Sequence, residues 1–349
     1  MKSCRALRVL SITVFLLTFL PALLWAASAQ EKLVKDKAQT FFDEGMAFSK
    51  QQRYKEAIEK LTQAVTLSLD THKYHQALHL NYVATRTGAQ AIQFYKDLIR
   101  GHPENGTLHY WLGRLYLDKR SLEEAVQEFK QASLLAPEDK HAFISLGLTY
   151  LRMERHQEGL DAYLRANKLD PRVAAVHVGL GDIYFKKNDY GKAQKEYEEA
   201  LGLDASFGEA RYNLGLIYEK KGETSKAEEQ WQTLIEEDPN ESRARERLAR
   251  LYFKDERYLD AAREYSTLSQ MRPNSPETFF ALGETQMKLM ETLKDPNDRN
   301  HFRVAAAEAF QWTLELDPNS LGNGAATRNA QARKHLARLN AKKSPSQKK

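Results

Sequence analysis

Three sets of residues in this chain of 349 have types and spacings that chemistry could use. His72, His75 and His79 form the first. His75 and His79 are four apart and would share a helix face, a spacing with which two imidazoles can hold one metal ion. Gly179-Leu180-Gly181 is the second, since two glycines so placed begin a dinucleotide-binding turn. Arg243, Arg247 and Arg250 are the third. Spaced four and three apart they share one helical face, and arginine grips carboxylates through paired hydrogen bonds. No P-loop, nucleophile elbow or His-Glu-x-x-His pattern accompanies them, and the one cysteine is Cys4. No nucleophile, acid and base come together. The residues describe a protein that is not an enzyme and holds no cofactor or metal.

What must position these residues is a 34-residue register that starts near Ala38 and stays in phase for seven repeats and into an eighth. Gly45, Gly113, Gly147, Gly181, Gly215 and Gly283 fall on one phase. Tyr82, Tyr116, Tyr150, Tyr184, Tyr218 and Tyr252 fall three residues later in the repeat. Ala57, Ala91, Ala125, Ala193, Ala227 and Ala261 follow nine residues after that phase, and Pro103, Pro137, Pro171, Pro239 and Pro273 close their repeats. A period of this length marks a helical array, in which each unit touches only its neighbours. The register removes the dinucleotide reading, because Gly179-Leu180-Gly181 lies mid-helix with no strand before it. It also places His75 and His79 at positions that pack inside a repeat. A structural histidine is therefore expected there, with a metal ligand as the alternative.

Residues 106–139 show how one repeat folds. Trp111, Leu112, Leu115 and Tyr116 recur at helical spacing. Gly113 sits among them, where it costs about 1 kcal/mol against alanine, so a packing reason is expected. A second helix from about Leu122 to Leu135 carries Ala125, Phe129 and Ala132 on one stripe. Small alanine against small glycine would let the two backbones approach, with the aromatic filling the space beside them. Pro137 then ends the unit, because it lacks an N–H and disfavours helix in the residue before it.

The pattern Leu-Gly-x-x-Tyr, then alanine, then an aromatic, then proline resembles the tetratricopeptide repeat (TPR), over roughly Ala38–Pro318. The resemblance implies an all-α, right-handed solenoid of about eight helix hairpins. The first helix of each pair would line a concave groove. Departures are informative. Glu44 and Phe48 stand at the leucine and tyrosine slots of the first repeat. His79 takes the glycine slot of the second, so its helices should sit slightly apart. Gly159 takes an alanine slot, and Gln286 replaces a tyrosine in the eighth repeat. There Ala306, Phe310 and Pro318 arrive 11 residues late. That predicts an insertion near 287–305, a longer hairpin and a polar loop at Lys294–Asn300. A capping helix of about Ala326–Asn340 would then cover the core with Ala330, Leu336 and Leu339, as array ends require.

The resemblance also implies which residues face the groove: those five, nine and twelve positions into each unit. In the middle repeats these are Tyr110, Arg114 and Leu117; Ile144, Leu148 and Leu151; Val178, Asp182 and Phe185; and Tyr212, Leu216 and Glu219. Most are apolar. Either they hold a peptide with several hydrophobic side chains, or a tight winding packs some of them against neighbouring first helices. Further on, Asn213, Arg243 and Arg247 match slots of the carboxylate clamp of chaperone-binding TPR proteins. Val178 and Asp182 do not match the remaining slots, and Asp182 would repel a carboxylate. Arg243, Arg247 and Arg250 are thus a local anion patch, or they pair with Glu241, Glu246 or Asp182.

Charge and the termini set the context. The first 29 residues carry three Lys/Arg and no acid, and the last 22 carry eight and no acid. Against +5 overall, the body from Gln30 to Thr327 is about −6. That is not a nucleic-acid reader. A basic start, the apolar run Val9–Leu24 and Ala27-Ser28-Ala29 predict an export signal over 1–29 cleaved after Ala29, with an inner-membrane anchor through 9–24 as the alternative. The expected organisation is the signal, a short lead (30–37), the array (38–318), a linker and capping helix (319–340) and a basic tail (341–349). The tail is either a solvated end or a weak contact for membrane or anionic polymer. A periplasmic scaffold for a protein or peptide partner is the leading reading. An accessory subunit of an envelope glycan or exopolysaccharide machine is the second.

Overall fold

A computed structural model describes residues 29–319 and 324–341. All but the last residue of the sequence-predicted signal (1–29), part of the Gly-Asn-Gly linker and all but the first residue of the tail (341–349) lie outside the described residues. Among those residues the chain is all helix, in seventeen segments and with no strand. It divides into two compact units, Met1–Ile183 and Tyr184–Lys349.

The first unit holds α1 (29–50), α2 (Tyr54–Leu67), α3 (His72–Thr85), α4 (Gly88–Gly101), α5 (Gly106–Asp118), α6 (Leu122–Leu135), α7 (Lys140–Arg152), α8 (His156–Leu169) and most of α9 (Ala174–Lys186). α5 pairs with α6 and α7 with α8, and α6 leads onto α7. First helices of successive repeats also touch, α3 on α5 and α5 on α7. The second unit continues with α10 (Tyr190–Leu203), α11 (Gly208–Lys221), α12 (Thr224–Glu237), α13 (Ser242–Lys254), α14 (Tyr258–Met271), α15 (Pro276–Thr292), α16 (Pro296–Leu316) and α17 (Ala325–Ala341). Its hairpins are α11–α12, α13–α14 and α15–α16.

The phase-locked glycines have a specific packing reason. A Cβ at Gly113 or Gly147 would stand 2.7 Å from the ring of Phe129 or Tyr163, and one at Gly215 would run into Trp231. Where alanine-on-glycine contact is expected, the aromatic ring itself fills the notch. Phe129 and Trp231 are completely buried. The glycine and its ring are sixteen residues apart in each pair. In the second repeat the ring remains as Tyr95, but His79 stands where the notch should be. α3 and α4 accordingly come close at far fewer positions than the helices of the α5–α6, α7–α8, α11–α12, α13–α14 and α15–α16 hairpins.

The turns between paired helices repeat as well. Gln52, Arg86, Arg120, Glu154, Asn188, Gly222 and Glu256 all have positive φ, at one 34-residue spacing. In each, the next residue's N–H returns to the carbonyl of the tyrosine-phase residue, as in Arg155 to Tyr150 at 2.9 Å and Ser121 to Tyr116 at 2.9 Å. This is a Schellman closure, which satisfies carbonyls the helix end leaves open. Several of the ring faces carry a cation from the same turn: Arg257 lies 4.1 Å over Tyr252 and Arg155 lies 4.8 Å over Tyr150.

The eighth repeat corrects one expectation. The polar loop does not span Lys294–Asn300, because α16 begins at Pro296, capped by Asp295. Only three residues separate α15 from α16. The insertion is taken up as helix, with 17 residues in α15 and 21 in α16, which hold more backbone hydrogen bonds than a loop would. Gly283 still meets its ring, Phe310, at 2.9 Å. α17 covers this end with Ala332 and Leu339, packed against Met287, Met290 and Phe310. Ala330 is exposed and Leu336 only half-buried, so the covering face is rotated from the expected one. On this helix the Arg328 guanidinium is bonded to Asp317 at 2.8 Å and to Glu277.

Candidate functional site

The groove-phase residues of the first unit divide into two groups. Tyr110 and Leu117 are buried, only 6% and 5% exposed. They belong to the core and not to an open surface. Tyr110 is held between His72 and His141, with ring centroids 5.7 and 6.3 Å away, and lies edge-on to Trp111 at 5.3 Å. The contact of α5 with both α3 and α7 is what closes over it. Ile144, Leu148, Leu151 and Val178 stay partly open, and so does Arg114. The Nε of Arg114 is buried without a hydrogen-bond partner. Asp182 is partly open too.

The most open groove-phase aliphatic side chains lie one repeat earlier than expected. Leu80 and Val83 on α3 are 58% and 54% exposed. They stand nine and twelve positions into the second repeat. The same counting rule finds them once it is applied outside the middle repeats. α3 is also where the glycine slot is lost, so this face stands beside the loosest hairpin.

The three histidines are structural. His75 is fully buried. Its two ring nitrogens are within hydrogen-bond distance of the Tyr95 hydroxyl (2.9 Å) and the Leu69 carbonyl (2.8 Å), and its ring stacks on Trp111 at 5.7 Å. Burial pushes its pKa down to about 4. His79 reaches Asp118 on α5 at 2.9 Å. Burial also lowers His72. Among the described residues no group of three or more His, Cys, Asp or Glu is placed to hold a metal ion.

In the second unit the arginines are spent on the protein's own carboxylates. Arg243 bonds Glu209 (3.0 Å) and Glu241 (3.2 Å) and lies 4.7 Å over the Tyr212 ring. These acidic partners, Glu241 first, raise its pKa further. Arg247 approaches the Tyr212 hydroxyl at 3.4 Å and Glu219 at 3.7 Å. Arg250 pairs with Glu246 at 2.5 Å, which also takes Arg272 at 2.8 Å. The amide of Asn213 donates to the Tyr197 hydroxyl on α10, the preceding helix, at 3.1 Å. The anion patch is therefore an internal ion-pair network, and the clamp slots matched in sequence are not assembled as a clamp. Phe185 packs edge-on to Tyr190 at 5.5 Å, and Tyr212 and Leu216 are half-buried.

Models of the tetratricopeptide repeat match residues 82–146, 141–173 and 212–276, and a TPR repeat model matches 181–222. The chain belongs to the tetratricopeptide repeat family. No curated protein sequence matches this TPR chain at a significant level. Among solved structures it is similar to the APC/C hetero-tetramer Cut9–Hcn1, with 17% identity and a TM-score of 0.53 over 88% of this chain. It spans about half, 55%, of that relative's length. PilF of Pseudomonas aeruginosa is similar over 70% of this chain and all of its own, with 20% identity and a TM-score of 0.52. Both likenesses are to the fold. Among the described residues no helix is long and apolar enough to cross a membrane.

Proposed function

We propose that this TPR protein is a non-enzymatic scaffold of the cell envelope that binds a protein or peptide partner along the first-helix faces of its repeats. One observation carries the reading: Leu80 and Val83 stand open on α3, and Ile144, Leu148 and Leu151 stay part-open on α7. Such side chains at consecutive groove positions cost solubility, and contiguous exposed apolar surface marks interaction sites. The repeat family supports a scaffold role, since its units position surfaces and not reacting groups. The basic, apolar and small-residue pattern of residues 1–29 supports export, with the periplasm as destination.

A second reading is an accessory subunit of an envelope glycan or exopolysaccharide machine. Exposed Arg333 and Lys334 on α17 favour it, because they lead toward the basic tail. Both readings keep the groove. Leu148→Glu with Tyr212→Glu should abolish crosslinked capture of the partner and leave the circular dichroism unchanged. If that double variant unfolds, these residues are core and the proposal fails. Deleting 341–349 separates the two readings, since only the second expects membrane or polymer association at low salt to fall.

A further inference from the structure

A cavity of about 320 Å³ opens between the C-terminal end of α3, the start of α4 and the C-terminal end of α5. Its walls are mostly apolar: Tyr82, Val83, Ala89, Ile92 and Leu115. Gly88 adds no side chain, and a Cβ there would meet nothing within 4 Å. The volume is at the small end of ligand clefts, roughly 300–1,000 Å³. It is ample for one or two aliphatic side chains of a docked segment. The cavity has a structural cause. His79 replaces the glycine that would let α4 seat against α3. It ties α3 to Asp118 of α5 instead, and a wedge is left at the hairpin end.

The rim is charged, with two cations against one carboxylate. Arg86 and Lys119 line the cavity mouth, and among the described residues neither side chain has a hydrogen-bond or ion-pair partner. The one carboxylate of the lining, Asp118, is already bonded to His79. The arrangement is the reverse of the second unit, where Arg243, Arg247 and Arg250 all face glutamates of the same chain. Two open cations above an apolar hole, continuous with exposed Val83 and near Leu80, are complementary to a carboxylate beside an aliphatic side chain.

We propose that this wedge is the specificity pocket of the scaffold, taking a leucine-like side chain from an acidic segment of the partner while Arg86 and Lys119 receive the flanking carboxylates. The inference rests on the first-helix binding reading and adds the chemistry of the bound segment. The probe is a fluorescein-labelled peptide, Glu-Asp-Leu-Leu-Asp-Glu, followed by anisotropy with the full chain at low salt. It should bind. Replacing both leucines by alanine should weaken binding at least roughly tenfold, the scale of one lost aliphatic burial. Replacing its acids by lysine should abolish binding.

On the protein, Arg86→Glu with Lys119→Glu should weaken binding at least tenfold. Ala89→Trp, at an exposed position on the wall, should fill the hole and do the same. Unchanged thermal melting would show that both variants stay folded. The proposal is overturned if the peptide does not bind, if its lysine or alanine analogue binds as well, or if neither variant changes binding. Binding that survives both variants but is lost in Leu148→Glu would overturn the pocket and leave the wider first-helix reading standing.

Discussion

Gly113→Ala tests the notch-and-ring account of the repeat most sharply. The new Cβ would stand 2.7 Å from two ring carbons of Phe129, about 1 Å inside an optimal carbon contact. The ring cannot swing away, because it is fully buried and faces Tyr110 at 5.9 Å. Overpacking of this kind costs about 1–3 kcal/mol, while alanine returns about 1 kcal/mol of helix propensity. The net expectation is a loss of about 0–2 kcal/mol. The informative quantity is the difference from Gly202→Ala. Gly202 lies in α10, exposed, with nothing within 4 Å of its Cβ position. That variant should gain up to about 1 kcal/mol, so the two should differ by about 1–3 kcal/mol. In a Phe129→Leu background the penalty at Gly113 should shrink toward zero, a coupling of about 1–3 kcal/mol. Urea midpoints read the effect, with amide exchange localising it to α5–α6, since arrays need not unfold in one step. If Gly113→Ala stabilises as much as Gly202→Ala, or shows no coupling to Phe129, the packing argument is wrong.

Other expectations follow from the same contacts. His75 is held neutral, with its pKa lowered from 6.5 to about 4, so the unfolded chain binds its proton first as pH falls. Its contribution is intact above pH 6.5 and is lost between there and pH 4. That makes a loss of about 2 kcal/mol from pH 7 to 5, which His75→Gln should remove from the pH slope of urea unfolding. Glu154 has positive φ, at 58°, and Glu154→Gly should raise the melting midpoint through a gain of about 0.5–1 kcal/mol; a fall would contradict the turn assignment. Arg328 is nearly buried against Asp317, so Arg328→Ala should cost about 3 kcal/mol by removing one partner of a buried ion pair, with amide exchange rising first in α17. By contrast Arg243→Ala, in pairs that are about half exposed, should cost no more than about 1 kcal/mol, and should leave partner capture intact.

Most of the fold is legible in the sequence because one constraint recurs. A glycine, an aromatic sixteen residues on and a terminal proline recur in most units, so a single register carries helices, turns and pairing. The left-handed turn residue was not legible, because Gln, Arg, Glu and Asn occupy it as well as Gly222; only its phase gives it away. The loop expected at Lys294–Asn300 failed for a related reason. Pro296 reads as a breaker, but proline is tolerated in a helix's first turn, and Asp295 caps it there. The candidate site was read less well. Groove phase fixes the direction of a side chain but not whether a neighbouring first helix covers it, which is why Tyr110 and Leu117 are core while Leu80 and Val83 are open. Arg243 looked available because one of its partners, Glu209, is 34 residues away, in another repeat.

The most direct measurement is site-specific photocrosslinking in the native cell. A benzophenone side chain is placed at Leu80 or Leu148 on the first helices, and at Leu134 on α6, which is 72% exposed. Adducts to a common polypeptide from Leu80 and Leu148, with none from Leu134, are the expected result. Adducts that come instead from Leu134, with Leu80 and Leu148 silent, would contradict it.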